Sequence, residues 1–465
     1  MEPIRTGRIL IAANRLPVTT SLHNGEIQVK PSSGGLASGL RPLIRHTQSV
    51  WFGWNGMAAR GEGIGCCDSG DLVEIPLTAE EVERFYQRFA NSLLWPALHD
   101  WPIDGPVGEE DWTAYSRVNA RYADALLGRL AADDLIWIHD FHLLLLPNLI
   151  RMRAPSAPIV FFLHTPFPRP SSFLALPHAQ VLMEGLLGAD TVGFHTDGYL
   201  RNFLEAARLL GYTVDDDRVL TSTHATRVKA WPMGIDAGEF TRMARSVRVT
   251  NEVERLKSSA APMLMLGIDR LDYTKGLPNR LLAFEHLLQT HPDLRGRVGL
   301  LQVAVPTRGE ISAYRDLRQV VERLVDRINN RFATGGWLPV DCLFGSVDRE
   351  TLIALYRAAN VMLVTPQRDG LNLVAKEFVA SRVDRCGVLL LSKFAGVANE
   401  LKDAIQVDPN RLLQLSAAMY SALHMSVAEQ RRRMREMRRI VRKNTVFRWA
   451  DEFLTLPFHS QPSTV

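Results

Sequence analysis

The sequence predicts an α/β chain of doubly wound parallel sheets, and three features carry that reading: continuous apolar runs, helical periodicity between them, and polar residues where most of the runs stop. The runs are Arg8–Ala12, Asp134–Ile138, Pro158–Leu163, Thr191–Phe194, Pro262–Gly267, Gly299–Ala304, Asn360–Pro366 and Gly387–Leu391. Unbroken rather than alternating apolar character fits strands buried on both faces of a parallel sheet. Between runs, apolar positions such as Ile311, Tyr314, Leu317, Val320, Val321 and Leu324 recur with helical period. Alternating strand and helix is the α/β pattern.

Seven of the eight runs lead into chemistry-bearing side chains. They are Asn14-Arg15, His139-Asp140, His164, His195, Asp269-Arg270, Arg308 after Pro306-Thr307, and Arg368-Asp369. Ligands of open α/β sheets bind outside the carboxyl ends of the strands. A site fed by two series of strands is therefore expected.

Composition bounds the function. At 465 residues the chain is too long for one ordinary core. A boundary is expected near Trp231–Asp236, where the first strand series ends. Apolar residues make up 46% and charged residues 22%, with a net charge of +4. That small excess accommodates an anionic ligand but not a nucleic-acid surface. No apolar run reaches the roughly 18–20 residues that span a bilayer. Cys66, Cys67, Cys342 and Cys386 have neither metal-ligand nor disulfide-framework spacing and read as buried or half-buried thiols. The opening MEPIRTGRILIAANR lacks a signal-peptide pattern, so a cytoplasmic location is expected.

Three motifs carry the site. Ser32–Gly39 is a glycine-rich turn into a helix, suited to a phosphate or sugar oxygen or serving simply as a turn; it has neither dinucleotide-fold nor P-loop spacing. Arg270-Leu271-Asp272-Tyr273-Thr274-Lys275-Gly276 can bring a guanidinium fork and an ammonium onto one polyanion, or Arg270 and Asp272 can neutralise each other in a solvated loop. Arg368–Glu377 places the backbone of Leu371–Leu373 at a helix N-terminus, an anion site. Asp369 beside an anion suits a hydroxyl-rich ligand, and Glu377 either accepts from a ribose diol or is an ordinary helix glutamate. Asp215-Asp216-Asp217 contains a DxD pattern but reads as a solvated turn. The basic run Arg431–Arg439 reads as a docked helix with a solvated face over a stripe of Met434, Met437, Ile440 and Val441.

Asn14-Arg15-Leu16-Pro17, Trp51-Phe52-Gly53-Trp54, Leu94-Trp95-Pro96, His139-Asp140-Phe141-His142, Phe162–Pro168, Arg270–Pro278 and Arg368–Glu377 together, in this order, resemble trehalose-6-phosphate synthases from about Arg8 to about Phe453. The resemblance implies a retaining glycosyltransferase with two Rossmann-like domains facing a cleft, the GT-B architecture. It would transfer glucose from a nucleotide-glucose to glucose 6-phosphate, giving α,α-trehalose 6-phosphate. Carried over by motif, Gly35, His164, Arg270, Lys275, Asp369, Gly370, Leu371, Asn372, Leu373 and Glu377 would bind the donor. Arg15, Trp54, Tyr86, Trp95, Asp140 and Arg308 would bind the acceptor. Asp140, His164, Arg270, Lys275 and Asp369 would be the catalytic set.

The implied domains are an acceptor-binding domain at 1–238, a nucleotide-sugar-binding domain at 239–445, and a helix and tail at 446–465 packing back on the first. No metal and no cofactor are expected, because Arg270 and Lys275 supply the charge that stabilises a departing diphosphate. UDP is the default nucleotide, with GDP and ADP open where Leu343–Val347 departs from the form expected of enterobacterial enzymes. The chain lacks an Asp-rich phosphatase motif, so the product should stay phosphorylated. Association into a homo-oligomer stays open. The alternatives are the same fold with another acceptor, as in glucosylglycerol-phosphate synthases or pseudoglycosyltransferases, and a silent sugar-phosphate sensor.

Overall fold

The structure, a computed structural model, describes residues 7–23, 26–31, 35–44, 47–59, 72–103, 105–259 and 261–455. The turn residues Ser32, Ser33 and Gly34, the pair Cys66 and Cys67, and the tail from 456 lie outside these ranges. The chain divides into two compact units, Met1–Met233 with Val446–Val465, and Gly234–Thr445.

Among the described residues, the first unit holds a nine-stranded sheet. Its strands are β1 (Ile9–Arg15), β4 (Ser49–Trp54), β5 (Leu72–Glu74), β6 (Leu135–His139), β7 (Ile159–Phe162), β8 (Thr191–Phe194), β9 (Thr213–Asp215), β10 (Arg218–Leu220) and β11 (Ala225–Ala230). A separate antiparallel ribbon pairs β2 (Val18–His23) with β3 (Glu26–Pro31). The sheet order is β5-β4-β1-β6-β7-β8-β11-β10-β9. It is parallel as far as β11; the last two strands are antiparallel. Taken in chain order, the first six parallel strands lie 3-2-1-4-5-6, so the winding reverses between β1 and β6. The β9–β10 hairpin carries the Asp215–Asp217 run, with Asp216 at φ 50°. It is a turn, as expected.

The second unit holds β12 (Met263–Arg270), β13 (Val298–Val305), β14 (Val340–Phe344), β15 (Val361–Val364), β16 (Val388–Ser392) and β17 (Ile405–Val407), wholly parallel in the order β14-β13-β12-β15-β16-β17. This again is 3-2-1-4-5-6, the doubly wound order, with its reversal between β12 and β15. Met265, Leu300, Val361, Leu363 and Leu390 are buried between helices that include Leu277–Thr290 and Leu412–Leu423. The basic helix Val427–Lys443 docks through buried Met434, Met437 and Val441. Its arginines are largely consumed by near neighbours: Arg432 and Arg433 by Glu429, Arg439 by Glu436, and Arg438 by the carbonyls of Val379 and Ala380.

One helical segment departs from ordinary winding. Thr78 caps Ala79–Glu81 in a reciprocal capping box. The next 13 residues, Val82–Leu94, wind as a π-helix, and Trp95–Leu98 returns to α. The wider turn is reinforced by side chains five residues ahead: Asn91 Nδ2 donates to the Tyr86 carbonyl at 2.7 Å, and Ser92 Oγ to that of Gln87 at 2.9 Å. A π-helical stretch of this kind is rare and recurs at functional sites. Two expected site residues, Tyr86 and Trp95, lie in and just after it.

Candidate active site

In the second unit, the switch point between β12 and β15 gathers most of the expected donor residues. Arg270 ends β12, and the loop behind it returns through Lys275. Gly276 is required there. Its φ is 69°, and a Cβ would lie 2.5 Å from the Thr365 carbonyl at the end of β15. The close approach lets Gln367 and Arg368 donate their N–H groups to the Thr274 carbonyl. Lys275 Nζ thereby reaches Asp369 Oδ2 at 2.6 Å.

Asp369 is further held by Asn372, whose Nδ2 donates at 3.1 Å. The Asn372 side-chain oxygen accepts from Ala375 N–H and caps the helix Leu373–Ser381. Helix start and Asp369 are therefore fixed by one side chain. Gly370 and Leu371 are buried in the connecting turn, and the Leu371 carbonyl accepts from Val397 N–H. Glu377 is half-buried and accepts from the Tyr356 hydroxyl at 2.9 Å; burial raises its carboxyl above the usual range. It is not an ordinary exposed helix glutamate.

Asp272 is the hub of this network. It is fully buried, and its Oδ1 accepts from both the N–H and the hydroxyl of Thr274. Its Oδ2 lies 3.6 Å from Arg270 Nη2 and 3.6 Å from Arg308 Nη1. Burial alone would raise this carboxyl; Arg270, Arg308 and Lys275 outweigh it and hold it below the ordinary value. The solvated-loop reading of Arg270–Asp272 is thus corrected. Arg308 also donates to the Tyr314 hydroxyl at 2.5 Å. Its expected partner in sequence reasoning was an acceptor phosphate; the structure seats it beside the same carboxylate as Arg270.

In the first unit, the switch between β1 and β6 is lined differently. The end of β1 is tied down through its backbone: the Tyr122 hydroxyl donates to the Ala13 carbonyl and the Trp51 indole to that of Arg15. The Arg15 guanidinium lies 4.0 Å from the Trp54 ring and 5.3 Å from that of Tyr86. Trp54 and Tyr86 meet edge to face at 5.3 Å, and His142 stacks on Tyr86. Gly56, at φ 99°, makes room, since a Cβ would overlap Arg15 Nη1. Among the described residues Arg15 has no carboxylate partner. Trp95 is buried against Phe141 and His99, and Gly35 begins the helix Gly35–Ile44.

Beyond β6 and β7, Asp140 Oδ1 accepts from the His164 N–H at 3.2 Å. The His164 ring bonds to buried His139, Nε2 to Nδ1, at 3.0 Å, and lies 5.3 Å from the ring of buried His195. Burial pushes His164 down to about 3 and His139 well below the ordinary histidine range. Trp449 and Phe453, from the helix Val446–Leu454, pack over Trp137 and Phe162 behind these rings.

The backbone singles out the same positions. Non-glycine residues at positive φ include Asp140 (72°), Arg308 (50°) and Asn372 (79°), each at a strand end already implicated. Such conformations cost of order 1–3 kcal/mol and cluster at functional sites. Sequence reasoning missed Asp272 as the shared counter-ion, Tyr314, and His142 against Tyr86. His142 stood in a quoted motif, but its stacking partner lies in the π-helix, which no pattern announced. Among the described residues, no group of three or more His, Cys, Asp or Glu is gathered as a metal site, and no helix is long and apolar enough to cross a membrane.

Residues 7–456 match the model of Glycosyltransferase family 20. A bifunctional trehalose-6-phosphate synthase/phosphatase of Thermoproteus tenax is 39% identical over 96% of this chain, which spans 63% of that relative's length. An α,α-trehalose-phosphate synthase (UDP-forming) of Aspergillus fumigatus is 37% identical over 96% of both chains. Among solved structures, E. coli trehalose-6-phosphate protein bound with UDP-2-fluoro glucose superposes with TM-score 0.87 at 35% identity, covering 97% of this chain and 98% of that one. A Burkholderia xenovorans α,α-trehalose-phosphate synthase (UDP-forming) in complex with glucose 6-phosphate gives TM-score 0.87 at 35% identity, covering 96% and 99%. The GT-B fold that the resemblance implied is shared with both. Two doubly wound sheets, a polar residue set at each switch point and this full-length match agree: the chain belongs to glycosyltransferase family 20.

Proposed function

We propose that the protein transfers glucose, with retention, from a nucleotide-glucose to glucose 6-phosphate, giving α,α-trehalose 6-phosphate. The observation that carries this is the cluster of Arg270, Lys275 and Arg308 around buried Asp272 at a switch point. It stands in a chain whose relatives are named synthases of this product and bind UDP-2-fluoro glucose or glucose 6-phosphate. UDP-glucose is the donor we favour, since those relatives are UDP-forming.

In this reading the diphosphate lies on Arg270, Lys275 and the N-terminal backbone of the helix Leu373–Ser381. Cations already in place stabilise negative charge as it develops on the leaving phosphate, with no reorganisation at that moment. Asp369, Gly370, Leu371, Asn372, Leu373, Gly35 and His164 contact the nucleotide-sugar, and Glu377 takes the ribose. Asp140 orients the acceptor. Arg15 and Arg308 take its phosphate, and Trp54, Tyr86 and Trp95 belong to the same acceptor set. His164, held neutral by burial, is no general acid of ordinary strength, which suits displacement assisted by the leaving phosphate. The thiols of Cys342 and Cys386 suit a reducing cytoplasm, where we place the protein.

The test is product analysis with UDP-, GDP- and ADP-glucose against glucose 6-phosphate, glycerol phosphate and cyclitol phosphates. A phosphorylated α,α-disaccharide from UDP-glucose and glucose 6-phosphate is expected. Coupling only to another acceptor, or binding without turnover, would overturn the assignment.

A further inference from the structure

His139 is fully buried on β6, and its Nδ1 meets His164 Nε2 at 3.0 Å. We propose that His139 is a positioning residue. It fixes His164 in the tautomer that carries its proton on Nδ1, so that His164 offers the nucleotide-sugar an N–H donor rather than a lone pair. The inference rests on the reading of His164 as a sugar-nucleotide contact.

The argument is one of hydrogen counting. A neutral imidazole has one N–H and one lone pair, so a His–His contact needs one ring to give and the other to accept. Both rings are neutral at physiological pH, burial holding each far below its ordinary titration range.

Two arrangements satisfy the contact. In the first, His139 Nδ1–H donates to His164 Nε2; His139 Nε2 keeps a bare lone pair, and the His164 proton sits on Nδ1. In the second, His164 Nε2–H donates to His139 Nδ1, which forces a proton onto His139 Nε2. That atom is buried and has no hydrogen-bond partner among the described residues.

The two leftovers do not cost the same. Orphaned buried N–H groups are rarer in proteins than under-used acceptors. The neighbourhood sharpens the difference. Trp137 lies on the same face of β6 with its ring 4.6 Å from His139, and its indole N–H already lacks an acceptor among the described residues. The second arrangement would bury two orphan donors side by side; the first buries one donor beside one lone pair. The first therefore wins.

The rest of the setting keeps the chosen edge pointed outward. Asp140 holds the His164 backbone N–H, while Phe162 and His195 pack its ring at 4.8 and 5.3 Å. His164 Nδ1 makes no hydrogen bond among the described residues and is the one edge left for a ligand oxygen. The side chain then contributes a fixed dipole and no net charge.

Long-range proton–nitrogen correlation spectra of the full chain, labelled with ring-¹⁵N histidine, read tautomers directly. His139 and His164 are assigned by loss of their signals in His139→Asn and His164→Asn. Both are expected protonated at Nδ1; an Nε2–H signal for either at neutral pH overturns the proposal, whatever the substrate proves to be. Kinetics give the second arm. His139→Leu removes the contact and should raise KM for nucleotide-glucose by about 10-fold, with KM for glucose 6-phosphate unchanged. His139→Asn restores an amide donor near the Nδ1 position and should recover most of the loss. If His139→Leu fails to fold, the spectra of the wild type and the Asn variant still decide. Equal changes in both KM values, or no recovery with Asn, would reduce His139 to a packing residue.

Discussion

At the switch point of the second unit, three cations, Arg270, Lys275 and Arg308, crowd round two carboxylates, Asp272 and Asp369. At that of the first, Arg15 rests on the faces of Trp54 and Tyr86, and burial holds His139 and His164 neutral beyond β6 and β7. The second arrangement prepays its electrostatics. Its acids hold the cations at fixed places before any ligand arrives, which suits an incoming diphosphate. Among the described residues the first gives its arginine no carboxylate partner, only aromatic surfaces, which suits a sugar ring with a phosphate at one end. The same 3-2-1-4-5-6 winding therefore supports contrasting sets of side chains, and the difference lies in residues at strand ends and in the π-helix.

The largest expected effect tests the prepaid network. Lys275→Ala should lower turnover by about 10²-fold or more, the usual cost of removing one transition-state contact to developing charge. It should also destabilise the chain, because breaking a buried ion pair costs about 3–5 kcal/mol. Arg270→Ala should match the turnover loss with little change in unfolding, its side chain being 39% exposed. Thermal melts beside steady-state rates decide; two variants that keep near-normal turnover would dissolve the network's catalytic role.

A smaller effect separates the two arginines proposed to bind the acceptor. Removing Arg15 or Arg308 should raise KM for glucose 6-phosphate about 10- to 100-fold, since charge-assisted hydrogen bonds are worth roughly 1.5–3 kcal/mol. Preference over unphosphorylated glucose should shrink in parallel. Only Arg308→Ala should also lower the melting temperature, because only Arg308 is engaged with Asp272 and Tyr314 in the free protein. An unchanged preference in both variants would remove the phosphate role.

Acid should weaken the first unit through its neutral rings. Below about pH 6.5 the unfolded chain protonates His139 and His164 while the folded chain does not. Unfolding then takes up protons, so stability is full above pH 6.5 and falls as pH drops toward the depressed folded values. The slope should reach about 1.4 kcal/mol per pH unit for each ring. Denaturant titrations at pH 7.5 and 5.5 measure it, and equal midpoints would contradict two buried neutral histidines. The smallest effect is none: dialysis against EDTA should leave turnover intact, the cations of the second unit supplying the charge. Near-complete loss, restored by manganese, would break that assignment.

The eight apolar runs read from the sequence all appear as strands, because strands buried on both faces write their burial as an unbroken run. Most of the unread ones are short or half-exposed, although β4, six residues all buried, also went unread. β14 alternates buried and exposed positions along Val340–Phe344, β17 has three residues, and the β9–β10 hairpin sits at a sheet edge. Strand ends were legible for the same reason as the strands. Their pairings were not: Lys275 and Asp369 are 94 residues apart, and only the return of β15 beside β12 brings them together. The π-helix stayed hidden because thirteen residues of amphipathic sequence look alike whether wound at one spacing or the other.

The helix Val446–Leu454 counts with the first unit although it follows the second in the chain. Its Trp449 and Phe453 pack on Trp137, Phe162 and Trp231, and the Trp449 indole donates to the Trp231 carbonyl. During synthesis the ribosome therefore releases an amino-terminal sheet whose aromatic flank is still uncovered. At cellular rates of about 5–20 residues per second, that flank waits on the order of tens of seconds for the segment that covers it. Chain order thus makes the first unit the last to finish folding, and makes its bare tryptophans and phenylalanines a natural place for a chaperone to hold.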